Sequence, residues 1–322
     1  MPDSRMRMLL AVMITLLRQC SASRRNSLNV SFAVIAAVTL IGAGISVTSA
    51  RAAAIPYAPG SVIYSYGSDP LQTVTVYKPG QGNGEAVVLI HGDGFQSSAK
   101  DASTLAVRAN TLTAAGDTVF VVNYRNDTNG VGIAAVASDV IAGTLWAVAH
   151  ASQFGASSAH LTLIGGSSGG ILTGIAAEQI NKSWPGLVKT VITLSGTIDL
   201  PNAFAYWLTV PGPTGLQHID NLSNVLGCTV SKHKHVTTYN CPTALEVQYS
   251  PDRQITSAEC PNQWITINGN AEEQPVSQAV AMDTALAVAG CAHTLTIIPD
   301  AAHSFSYWTD VQAQLIAAIA SS

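Results

Sequence analysis

Leu161-Thr162-Leu163-Ile164-Gly165-Gly166-Ser167-Ser168-Gly169-Gly170 is the stretch that decides the fold. Four residues, three of them apolar, run into G-x-S-x-G, and the segment 169–182, with Ala176 and Ala177 at its centre, follows. A buried strand, a tight turn and a helix are the reading. A serine on such a turn is thrust away from the sheet, and small residues two before and two after it let the backbones approach. The following helix N-terminus offers its N–H groups to developing negative charge. Two registers are open, with Ser167 or Ser168 at the apex; a strand ending at Ile164 favours Ser167.

Upstream, Val87 to Ile90 leads into His91-Gly92-Asp93-Gly94-Phe95. A Gly-rich turn at a strand end can aim backbone N–H groups at a tetrahedral oxyanion. Near the C-terminus, Thr294 to Ile298 runs into Pro299-Asp300-Ala301-Ala302-His303-Ser304-Phe305. A histidine after the last strand can reach the serine as general base, which makes His303 the candidate among eight. His150 and His160 read as structural, and His233 and His235 as a solvated pair without a third metal ligand. The third partner is a carboxylate that fixes the imidazole tautomer. Asn268 to Val276 holds no Asp; Glu272 is favoured there, with Glu273 and Asp199 as alternatives.

The wider chain repeats the strand–helix pattern. β-branched runs lie at 62–64, 73–77, 86–90, 118–123, 160–164, 190–194, 264–267 and 294–298. Helical stretches lie at 99–115, 133–152, 169–182, 276–289 and 308–320. The alternation predicts an α/β fold: a mostly parallel eight-stranded sheet opened by a hairpin, with helices on both faces, as in the α/β-hydrolase arrangement. Residues 200–258, rich in proline, are too long for a connection and read as a lid-like insertion after the sixth strand.

Composition narrows the classes. The 322 residues are 48% hydrophobic and 11% charged, with no Lys/Arg run longer than two, which excludes a disordered chain and gives nothing for nucleic acid. Residues 31–50 are uncharged and mostly apolar, preceded by Ser23-Arg24-Arg25-Asn26-Ser27-Leu28 and followed by Ala50-Arg51-Ala52. These are the parts of a twin-arginine-like export signal over 1–52, with an uncleaved anchor helix as the alternative. The catalytic domain is then 53–322. Six of the 15 Lys and Arg and one of the 19 acids lie in 1–52, leaving nine cations against 18 anions, a net of −9. Beyond Cys20 the chain carries Cys228, Cys241, Cys260 and Cys291; an even number in an exported protein suggests two disulfides, and spacing favours Cys228 with Cys241.

With these residues the chain resembles the α/β-hydrolase esterases related to hormone-sensitive lipase and bacterial acetyl esterases. Their H-G-G-G loop is similar to His91–Gly94, and their Tyr-Arg after the fourth strand to Tyr124-Arg125. An Asp and a Trp on the next helix match Asp139 and Trp146, the elbow matches Gly165–Gly170, and the final G-x-x-H-x-F matches Asp300–Phe305. The resemblance covers about residues 60–320 outside the insertion. It implies Ser167 as nucleophile, His303 as base, and the backbone N–H groups of Asp93, Gly94 and Ser168 as oxyanion donors. It implies hydrolysis of carboxylic esters with no metal or organic cofactor; the expected partner is a small or polymer-borne ester, with no obligate protein partner evident in the sequence. A peptidase, a polysaccharide deacylase and a non-catalytic surface-binding member are the other readings of the fold. Asp93 in place of a glycine, Gly166 before the nucleophile and Glu in place of Asp are departures. The seventh and eighth strands are neighbours in this fold, so Cys260 and Cys291, just before them, would meet at the end opposite the active site.

Overall fold

A computed structural model describes residues 60–321, apart from 93, 97–101, 128–129, 234–235 and 300–301. The expected export segment, Asp93, His235 and Asp300 therefore lie outside the described residues.

Eight strands form one sheet: β1 (Ser61–Ser65), β2 (Thr73–Tyr77), β3 (Ala86–Ile90), β4 (Thr118–Val122), β5 (Leu161–Gly166), β6 (Val188–Leu194), β9 (Gln263–Gly269) and β10 (His293–Ile298), with β7 and β8 in the insertion. Their order is β1-β2-β4-β3-β5-β6-β9-β10. β1 pairs antiparallel with β2 and β2 with β4; every other neighbour is parallel. β3 and β4 are buried at every position because helices cover both faces, which is why they read as unbroken apolar runs.

On one face, Val87, Leu89, Val119, Val121 and Ile265 pack against α1 (Ala106–Ala114) and α9 (Trp308–Ile319). On the other lie α2 (Ile133–His150) and α3 (Ser168–Ser183). A Cβ on Gly143 of α2 would meet Val122 Cγ1 at 2.6 Å, and one on Gly174 of α3 would meet Pro251 Cγ at 2.7 Å. Glycine thus sets how closely both helices seat. α8 (Val276–Ala289) joins β9 to β10 as a crossover.

Two boundaries differ from expectation. Residues 102–105 form a 3-10 turn before α1 instead of the start of one helix; Ser103 and Thr104 favour such local turns. β5 runs two residues beyond Ile164, because Gly165 and Gly166 still pair with Thr193 and Leu194 of β6. Neither glycine tolerates a side chain: a Cβ would meet Thr173 Oγ1 at 2.0 Å from Gly165 and Ser304 Oγ at 2.0 Å from Gly166.

Residues 200–258 carry their own elements: α4 (Leu200–Trp207), α5 (Pro213–Leu226), the hairpin β7 (Thr229–His233) and β8 (Val236–Asn240), α6 (Thr243–Gln248) and α7 (Pro251–Gln254). α5 opens with Pro213 and closes on Gly227 at φ 68°, the usual placement of the two residues at helix ends. A disulfide between Cys228 and Cys241 closes the hairpin at its base. A second joins Cys260 and Cys291, with Cα atoms 5.2 Å apart, at the N-terminal ends of β9 and β10.

Candidate active site

The site forms where β3, β5, β6, β9 and β10 end. Among the described residues, only four non-glycines have positive φ: Phe95 (64°), Ser167 (57°), Ser195 (49°) and Ser304 (57°). One follows each of β3, β5, β6 and β10. Such conformations cost roughly 1–3 kcal/mol each and persist only where the surroundings enforce them.

Ser167 occupies the apex between β5 and α3, with ψ −129°, and Ser168 is the first residue of the helix. The Ser167 N–H donates to Leu194 O (2.9 Å) and the Ser167 carbonyl accepts from Gly170 N–H (2.9 Å), so both sides of the turn are tied. The His91–Gly94 turn lies directly against it. A Cβ on Gly92 would meet Gly166 O at 2.3 Å and Ser167 Cβ at 2.7 Å, and one on Gly169 would meet His91 O at 2.4 Å. His91 is locked in place: its Nε2 pairs with Asn123 Oδ1 (3.0 Å), Tyr124 Oη donates to its carbonyl (2.5 Å), and the two rings stack at 4.3 Å. Arg125 holds buried Asp139 through two side-chain bonds, 2.7 and 2.8 Å, and Gln72 donates to the same carboxylate.

Gly94 is the described part of the proposed oxyanion turn. Its N–H donates to Ser168 Oγ at 3.1 Å. A Cβ there would meet Asn221 Nδ2 at 2.8 Å, so α5 roofs this turn, and Gln96 donates to Asn221 Oδ1.

The structure brings Glu272 to His303: Nδ1 of the imidazole is hydrogen-bonded to Glu272 Oε2. The Glu272 side chain is fully buried. Its other oxygen accepts from Gly269 N–H (2.6 Å) and from Ser195 Oγ (2.6 Å). Ser195 Oγ in turn lies 2.7 Å from Tyr307 Oη and accepts Ser304 N–H at 2.9 Å. Burial pushes the Tyr307 phenol up, so it remains a donor. Sequence reading missed Ser195 and Tyr307; the only sign was a Ser-Gly pair closing β6.

The other two carboxylate candidates go elsewhere. Asp199 caps α4 and pairs with Arg253 (2.6 Å). Glu273 stands on the opposite side of the imidazole, with Oε1 3.3 Å from His303 Nε2 and Oε2 3.5 Å from His218 Nε2 of α5. His303 Nε2 is buried and, among the described residues, has no hydrogen-bond partner, Ser167 Oγ included. His150 donates to Trp146 O (2.7 Å) and stacks on that indole, and His160 lies beside Glu85; both are remote from Ser167 in role and partners. Among the described residues no three His, Cys, Asp or Glu group together as metal ligands.

Ser167 lies between two spaces of very different size. A cleft of about 470 Å³ is lined by Ser167, His303, Arg108, Gln217, His218 and Glu273, among others. A pocket of about 10 Å³ is walled by Phe95, Ser167, Thr197, Trp207, Leu222 and Gln274, with His218 and Asn221 shared. His303 lines only the cleft.

Solved structures share this fold at low identity. The bifunctional GH43-CE protein of Bacteroides eggerthii is 20% identical with a TM-score of 0.64, over 80% of this chain and 37% of that one. A truncated carbohydrate esterase from gut microbiota is 19% identical with a TM-score of 0.62, over 80% and 95%. Esterase B of Lactobacillus rhamnosis is 18% identical with a TM-score of 0.62, over 80% and 84%. No protein of curated function matches the sequence. The BD-FAE family model matches residues 74–265, from β2 through the elbow and the insertion into β9, and the chain accordingly belongs to the BD-FAE family, with an α/β-hydrolase fold shared with esterases.

Proposed function

We propose that the protein is an exported serine esterase working through an acyl-enzyme. The observation that carries this reading is Ser167 on a strained elbow, sharing one cleft with a histidine whose far nitrogen is tied to a buried glutamate. Ser167 Oγ attacks the ester carbonyl carbon and its proton passes to His303 Nε2. Glu272 holds the proton on Nδ1 and stabilises the imidazolium; Ser195 and Gly269 fix the carboxylate. The oxyanion takes backbone N–H groups from Gly94 and Ser168, and from Asp93 as the resemblance implies, each worth about 10²–10³ in rate. The proton then moves from Nε2 to the leaving alkoxide, and water releases the acid by the same route.

Proton delivery orients the substrate. His303 lines only the cleft, so the alcohol departs there and the acyl group faces the small pocket. The alcohol side is polar, with Gln217, His218 and Glu273, and suits a hydroxyl-rich alcohol; one protein of this fold is named a carbohydrate esterase. Two disulfides and the signal-like residues 1–52 support export.

The test is hydrolysis of p-nitrophenyl acetate. Wild type is expected to turn over and Ser167→Ala to lose at least about 10³-fold in kcat. Equal rates from both would overturn the reading.

A further inference from the structure

We propose that Trp207 is the acyl-length gauge of this enzyme and confines it to acetyl-sized acyl groups. The inference rests on the reading of Ser167 and His303 above, which places the acyl group in the small pocket. That pocket holds about 10 Å³ of free space. A single water-sized sphere needs about this much, so one methyl fits and a longer chain does not.

Three walls come from different parts of the chain, and they are not equally free to set the limit. Phe95 belongs to the turn that carries Gly94 and sits at φ 64°. Leu222 is one side of α5. Trp207 ends α4, is only 2% exposed, and is by far the largest of the three. Two rings hold it: it stacks on His218 at 3.8 Å with 15° between planes, and Tyr206 makes a T-shaped contact at 5.0 Å. His218 lies 3.5 Å from Glu273, which in turn lies beside the imidazole of His303. The backbone behind the indole is closely packed too, since a Cβ on Gly215 would meet Trp207 O at 2.9 Å. An indole held this way cannot swing aside for an extra methylene, and a closely packed wall that must yield costs binding. Trp207 touches neither the reacting oxygen nor His303 in this account; it selects substrate by shape.

The experiment compares p-nitrophenyl acetate, butyrate and hexanoate on the full chain, so that only the acyl group changes. Wild type is expected to lose at least tenfold in kcat/KM from acetate to butyrate and more to hexanoate, in line with the roughly 10–200-fold that one methylene can decide. Trp207→Ala is expected to raise the butyrate-to-acetate ratio at least tenfold, and Trp207→Phe to raise it by less. Leu222→Ala, another residue lining the small pocket, gives the same readout if the Trp207 variants fail to fold, with a rise in the ratio expected. A wild type that takes hexanoate as well as acetate, or folded variants with an unchanged ratio, overturns the proposal. Loss of the serine reading shows separately, as undiminished acetate hydrolysis by Ser167→Ala.

Discussion

Ser168 serves two partners in turn. Its backbone N–H opens α3 beside Ser167, and its hydroxyl accepts the Gly94 N–H that an oxyanion would need. This bond satisfies a part-buried donor; in the proposed acyl transfer it must break. Ser168→Ala removes the competitor and leaves Gly94 N–H unpaired until the oxyanion forms. An unpaired donor costs about 1–3 kcal/mol when fully buried, so the substitution is predicted to lower Tm by a few degrees and raise kcat/KM about three- to tenfold. Melting and kinetics on the same preparation check it; a variant that is both slower and equally stable contradicts it. The neighbouring Glu272 and Glu273 show where sequence reading stops. Both follow β9, one residue apart, and spacing cannot separate them. What distinguishes them is three-dimensional: Gly269 N–H and the Ser195 hydroxyl converge on Glu272, while Glu273 turns toward α5.

At the scale of elements, α7 packs on α3 where Pro251 meets Gly174, and acids lie buried beside that seat. Asp252 of α7 is raised to about 7, first by burial and then by nearby Asp199, with Arg253 opposing. Glu178 of α3 is raised well above the usual carboxylate range by burial, then by Glu259 and Asp252. A folded-state pKa above the unfolded value means the folded protein holds a proton that the unfolded chain releases. That stability is fully present below about pH 4 and is lost as pH rises toward and through about 7. The protein is predicted to melt lower at pH 8 than at pH 5, and Asp252→Asn, which keeps the neutral shape, to flatten the difference. Melting scans of both proteins at the two pH values decide it; an unchanged difference in the variant contradicts the account. The sheet was legible because its central strands are unbroken apolar runs, and the five helices outside the insertion because Ala-rich or apolar segments alternate with those strands. The insertion was legible only as an insertion. Its α4 and α5 are half buried and amphipathic, but proline and glycine at 201, 211–213 and 215 hid their period, while the hairpin and α6 are short and part of their order comes from Cys228–Cys241, which leaves no periodic trace.

For the whole molecule, the insertion after β6 supplies what the sheet does not. β-strand ends provide Ser167, Glu272 and His303, while α4 and α5 provide Trp207 and Leu222 of the small pocket and Gln217 and His218 of the cleft. In the proposed reaction, chemistry and selectivity thus sit on different parts of the chain, both within the 53–322 segment of net charge −9. The central claim is that Ser167, and no other serine of the cluster with Ser168, Ser195 and Ser304, becomes acylated. Treatment of the full chain with diethyl p-nitrophenyl phosphate, followed by peptide mass mapping, tests it most directly. One diethylphosphoryl group on Ser167, gained as esterase activity is lost and absent from Ser167→Ala, is the predicted result. An adduct on Ser168 or Ser195, or an unlabelled protein that loses no activity, contradicts it.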